Sequence, residues 1–374
     1  MSVIDLNLKD FKRDSEFYGE ISLILTVKSF NLQEIRKRYI RSRTNKSGKT
    51  GSVERRQPAL GGVVEVTLRK GRVTSEDVLC KVKEPRGIHY KKGKLALATE
   101  NIIHIIEQDG QHTHFTDPWF SYIHTVQFHP QNEDQLLLSS SGFDLIREYD
   151  FRSKKMTYEW LAWEHGFNIA NDPETNQKVT LTRDPAEAAE LEAKGRNVYL
   201  VKDPSKDHLP TAKRAAFINS VTYHPQDPNL FLATFFHEGK IYQINSDTDE
   251  ATEVLSGLKN PHGGHITENN LIATSTAQGE VVVKNETNEV RYRFNDLPGK
   301  PEALGELEWI QNTLSNEGLF IAIDSNRTAF VIIDPAGKRF DMVPFDENWA
   351  VQDLISGTLN DNQKEIIKRL TSTI

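Results

Sequence analysis

The chain has 374 residues, 37% hydrophobic and 26% charged, with a formal net charge of −7. That composition suits a globular protein with a large core and argues against general affinity for polyanions such as nucleic acid. No apolar run reaches the roughly 18 residues a membrane helix needs, and Cys80, the single cysteine, excludes an intrachain disulfide and a cysteine-based zinc site.

Residues 1–20 alternate charged and apolar side chains without the apolar core and cleavage site of a secretory signal, which predicts a cytoplasmic home. Residues 21–27, 62–67 and 79–82 read as strands, and Cys80, in the last of them, as a buried structural thiol. Residues 31–60 form an insertion rich in arginine and lysine, opposed only by Glu34 and Glu54. Within it, Ser47-Gly48-Lys49-Thr50 resembles the end of a phosphate-binding P-loop, but Arg43 stands where the first glycine belongs.

From residue 86 onward one plan recurs: a polar residue opening a short apolar strand, a turn, a second strand, a polar turn and a third strand. The two clearest copies begin at His124-Thr125-Val126-Gln127-Phe128-His129-Pro130 and at Asn219-Ser220-Val221-Thr222-Tyr223-His224-Pro225. Arg86, His262 and Glu306 mark further copies, and Trp349 a sixth. Once an insertion at residues 165–216 is set aside, the copies lie about 40 to 45 residues apart, the period of β-propeller blades.

The last copy stops early, while the first strands of the chain lack an opening strand. Residues 349–355 are therefore expected to form the inner strand of the blade whose outer strands come from the N-terminus, closing the ring. The expected architecture is all-β: a single six-bladed propeller over residues 1–374, or seven-bladed if two copies have been merged. The 165–216 insertion should carry a helix opened by Asp184-Pro185, and residues 360–374 a C-terminal helix capped by Asn360 or Asp361.

Phe128-His129-Pro130 followed by residues 136–141, and Tyr223-His224-Pro225 followed by residues 230–234, resemble WD40-type blades, although no copy holds the Trp-Asp dipeptide. Six irregular repeats with histidine or asparagine opening the inner strands resemble the enzymatic propellers, the strictosidine-synthase and lactonase group and virginiamycin-lyase-like proteins. This resemblance implies the fold and leaves the reaction open.

In a propeller, the first residues of the inner strands and the turns between second and third strands meet at one mouth. Arg86, His124, Asn219, His262 and Glu306 should ring it, with His237 alongside. Imidazoles suit a divalent metal ion, held by His124, His262 and His237, or general acid–base work. Asn219 would orient the substrate or donate to an oxyanion, Arg86 would clamp an anionic group, and Glu306 would supply a carboxylate. Polar residues at such positions also serve by bonding the ends of neighbouring strands.

Both insertions emerge over the same mouth, the basic one as a lid favouring an anion. The expected function is an enzyme acting on a small anionic metabolite, as a metal-assisted lyase, hydrolase or oxidoreductase. The alternative is a non-catalytic propeller whose rim binds a protein or peptide.

Overall fold

A computed structural model describes residues 2–371 of the chain. Six antiparallel sheets form a ring, and a separate three-stranded sheet lies in the second insertion. The first ring sheet runs outward from Ala350–Ser356 through Ile21–Ser29 and Leu60–Arg69 to Arg72–Lys83. N-terminal strands thus pair with a C-terminal one, in the register Leu354↔Leu25 and Ile355↔Ile24. The innermost strands neighbour one another in chain order, and Ile310–Asn316 returns to Ala350–Ser356, so no inner edge is left open.

The core is divided among the seams of the ring. Leu23, Leu25 and Val64 of the first sheet pack on Ile321, Ile323 and Phe330 of the sixth. Equivalent clusters fill the first–second, second–third, third–fourth, fourth–fifth and fifth–sixth seams. A sheet here buries its apolar faces only against its neighbours. The repeats therefore stabilise one another instead of folding singly. The Asp361–Arg369 helix, with an Asn360/Gln363 capping box, closes the first–second seam by burying Ile367.

The N-terminus departs from the pattern in the sequence. Ser2–Asn7 adds a parallel fifth strand to the outer edge of the fifth sheet, and Lys12–Arg13 does the same for the sixth. The strand Ser2–Asn7 leaves Val3 and Ile4 exposed, so its apolar residues do not mark a buried face. Leu8 and Phe11 are buried in the core, and Leu6 packs against it.

The basic insertion is helical where a loop was expected. Leu32–Ser42 begins at Asn31, whose side chain accepts from Glu34 N, and Leu32, Ile35 and Tyr39 share a face packed on Trp309 and Ala350. Tyr39 stacks on Trp309 at 5.1 Å. Arg36 is spent on anchoring, with Nη2 donating to Ser325 O at 2.5 Å and Asn326 O at 2.9 Å. The second insertion holds the Pro185–Ala193 helix, with Asp184 as N-cap, beside strands Ile169–Asn171, Lys178–Thr182 and Val198–Leu200.

The two insertions interlock. Lys46 N donates to Pro173 O at 2.8 Å, Ala212 N to Ser52 O at 3.1 Å, and Lys49 Nζ to Arg214 O at 2.7 Å. Together they roof one end of the central channel.

Candidate functional site

Five of the six inner strands break register near their start, between Ile123 and Thr125, Ile218 and Ser220, His262 and His265, Ile310 and Thr313, and Val351 and Asp353. A bulge of this kind takes one residue out of the strict alternation. His124, Asn219, Gln311 and Gln352 lie within these breaks, His262 is the last paired residue before its own, and Arg86 precedes the remaining inner strand, Ile88–Lys91. There Gly87 passes so close to the third sheet that a Cβ would lie 2.8 Å from Thr125 Cα.

The backbone two residues earlier is left-handed in four copies, at Glu84, Tyr122, Phe217 and Asn260, with φ between 40° and 53°. Such a conformation costs a non-glycine residue about 1–2 kcal/mol. Arg86, His124 and His262, each two residues after such a position, line the mouth, whereas Asn219 does not.

Two assignments from the sequence require correction. Glu306 is exposed in the connection before the sixth sheet, and Gln311 holds the ring position instead. Trp349 is buried in the seam between the sixth and first sheets, and Gln352 lines the mouth. The missed signal was an Ile-polar-Thr/Ser/Asn triplet: Ile310-Gln311-Asn312 matches Ile123-His124-Thr125 and Ile218-Asn219-Ser220. The connection into the sixth sheet is longer, which displaced a count made by period.

Beneath the lid is a cavity of about 140 Å³. Lys28, Arg38, Arg56, Arg86 and Arg214 are in its wall, and no carboxylate is among its lining residues. Tyr122 is the platform: the guanidiniums of Arg214, Arg86 and Arg56 stand 4.7, 5.4 and 5.9 Å from its ring centroid. Behind them Glu84, 2% exposed, bonds Arg86 Nη2 at 3.0 Å and Arg56 Nη2 at 3.1 Å. Burial pushes the Glu84 carboxyl up, and these two guanidiniums more than reverse it, so its pKa lies below the ordinary value.

Arg214 is fully buried. Its Nε donates to Leu209 O at 3.0 Å, while Nη1 and Nη2 have no partner among the described residues. Burial lowers its pKa to about 10, with Arg86 and Arg56 adding to the effect against Tyr122 and Asp144.

The three histidines differ in what they leave free. Arg86 Nη1 donates to His124 Nε2 at 3.1 Å, which makes Nδ1 the protonated nitrogen, donating to Tyr122 O at 2.8 Å. Both nitrogens are used, and burial beside Arg86 and Arg214 keeps the ring neutral. His237 donates from Nε2 to Thr211 O at 2.8 Å and latches the second insertion to the fourth sheet. His262 places Nδ1 2.7 Å from Thr276 Oγ1 and 3.2 Å from Asn260 O, and its Nε2 carries no protein hydrogen bond. Burial, then Lys28, lower its pKa to about 3.

Asn219 ties the fourth and fifth sheets through Nδ2 and Pro261 O at 2.8 Å and does not line the cavity. The expected metal set does not assemble either. Among the described residues no group of three His, Cys, Asp or Glu is placed to hold an ion. His124 already spends both ring nitrogens and His237 its Nε2, and the surrounding cations oppose a further positive charge.

No protein-family model and no curated protein matches the chain. Solved structures do. A chain of the nidogen/laminin complex matches at TM-score 0.54 and 9% identity, over 90% of this chain and 97% of that one. Virginiamycin B lyase from Staphylococcus aureus matches at 0.44 and 11%, over 70% of each chain. The Cps50 (Swd1) β-propeller domain of Myceliophteria thermophila matches at 0.44 and 14%, over 77% and 82%.

The fold is a β-propeller. At these identities the likeness concerns the fold alone, and the two weaker matches carry no argument about function. Among the described residues no helix is long and apolar enough to cross a membrane.

Proposed function

We propose that the chain is a six-bladed propeller enzyme acting on a small anionic metabolite enclosed between its ring and its two insertions. The observation that carries this reading is Arg214: a fully buried guanidinium with two unpartnered terminal nitrogens, in a cavity walled by four guanidiniums, one lysine and no carboxylate. Buried charge without a partner is destabilising, and a bound anion would supply the missing hydrogen bonds. A dry cavity of about 150 Å³ admits a benzene-sized molecule, so one of about 140 Å³ suits a compact ligand.

Arg86 and Arg214 would clamp the anion, His124 would hold Arg86 in place, and His262 Nε2 would be the proton acceptor. A second groove, lined by Arg38, Arg41, Lys46, Arg55 and Arg56, shares Arg38 and Arg56 with the chamber. It offers a basic approach on a chain of net charge −7 and would draw anions inward. The roof over the ring favours a small molecule over a docked protein or peptide.

Thermal unfolding with malonate, phosphate or pyruvate, against glycerol as a neutral control, tests the reading. Anions should raise the melting temperature of the unaltered protein and leave Arg214→Met unmoved. Equal responses to glycerol and to the anions would sink the reading.

A further inference from the structure

We propose that Lys28 is the nucleophile of this chamber, its Nζ forming an imine with a small oxo acid whose carboxylate lies on Arg86 and Arg214. The inference rests on the anion reading above and adds the carbonyl group to it. Lys28 sits near the end of Ile21–Ser29, in the wall of the cavity. Its single hydrogen bond goes to an amide, Gln352 Oε1, at 2.9 Å, and its Nζ stands 5.6 Å from the Trp309 ring centroid.

The nearest acidic group acting on it, Glu84, is already committed to Arg56 and Arg86. No carboxylate is among the residues lining the cavity around this amine to stabilise an ammonium there. Burial, then Arg86 and Arg56, drive its pKa well below the ordinary lysine value. Desolvation beside other cations is what makes a lysine amine nucleophilic at neutral pH. A lysine meant only to clamp an anion would need its proton, and this environment favours the neutral amine instead.

The reaction balances within the chamber. The amine lone pair attacks the carbonyl carbon and forms the N–C bond, and the carbonyl π pair moves to oxygen. Both hydrogens on nitrogen then leave with that oxygen as water, and the C=N bond forms. His262 lines the same wall, and its Nε2, unbonded among the described residues, would take a proton from nitrogen and return it to oxygen. No oxidant or metal is required.

The test is reductive trapping of the whole protein with pyruvate and cyanoborohydride, followed by peptide mass mapping. One reduced adduct on the Lys28 peptide is expected, suppressed by excess malonate and absent in Lys28→Met. That variant removes a half-buried amine whose hydrogen bond is to the Gln352 amide and is expected to fold, and malonate protection of the unaltered protein gives the same answer without it. Adducts confined to surface lysines, with malonate still raising the melting temperature, would overturn the nucleophile and leave the anion chamber standing. No stabilisation by malonate, phosphate or pyruvate would remove both.

Discussion

The two ends of the central channel both carry polar side chains, yet they spend them differently. At the unroofed end the side chains link the sheets. Tyr223 N donates to Gln127 Oε1 at 2.6 Å, Val221 N to Thr125 Oγ1 at 3.0 Å, Thr222 Oγ1 to Gly264 O at 2.9 Å, and Asn312 Nδ2 to Asp353 Oδ1 at 2.7 Å. Under the lid, Arg214 keeps two nitrogens free, Arg86 keeps Nε free, and His262 keeps Nε2 free. The lid end gathers the arginines, and at the open end Ser220 Oγ is the one buried lining side-chain atom left unpartnered among the described residues. The separation lies in hydrogen-bonding capacity that the fold leaves unused, together with charge that it leaves unbalanced.

This contrast predicts that cutting a tie should lower stability, whereas removing an unsatisfied group should lower binding. Arg86 belongs to both classes and should show the largest effect. Arg86→Met leaves Glu84 buried with Arg56 alone, and urea denaturation should register a loss of about 3–5 kcal/mol. Arg214→Met should be nearly neutral or stabilising in the same assay, while anion affinity measured by calorimetry falls roughly 10- to 100-fold. A large stability loss in Arg214→Met would show that its nitrogens are structural and would break the comparison.

The two ends should also respond oppositely to pH. His237 and His262 have folded pKa values of about 3, below the unfolded value. Between the two values the unfolded chain binds protons that the folded chain does not, so their stability is present at neutral pH and lost on acidification. At pH 5 the loss is about 2 kcal/mol per histidine. Burial raises Asp353 in the channel to about 7. Its folded form takes up a proton before the unfolded one does, so acidification from pH 7 to pH 5 favours folding there. Asp353→Asn should steepen the acid loss and His237→Gln should flatten it, as measured by denaturation midpoints at the two pH values.

Smaller effects complete the series. Gln127→Ala, which removes one inter-sheet tie, should cost about 1 kcal/mol without altering anion binding. Glu306→Ala, at an exposed position in a connection, should stay within about 0.5 kcal/mol of the parent and bind equally well.

Much of the ring was legible in the sequence because each strand pair carries its own alternation and turn, and the period repeats. The closing strand followed from counting orphan strands, and the capped helices at Pro185 and Asp361 from local chemistry. Arg86, His124 and His262 were found by position in the repeat. Gln311 and Gln352 were missed because a bulge shifts register without changing composition. Lys28 and Arg214 were missed because neither holds a marked position: one is near the end of a second strand, and the other lies in an insertion.

The sequence by itself determined the strands, the period and the closure, since these depend on contacts between residues near in the chain or on an apolar pattern repeated along it. Only the tertiary structure decided which polar groups are struts and which are unpaired. A hydrogen bond such as Asn219 Nδ2 to Pro261 O, or its absence at Arg214 Nη1, depends on which neighbour the fold brings within about 3 Å. That neighbour comes from another sheet or from the lid, tens or hundreds of residues away, and no local pattern specifies it.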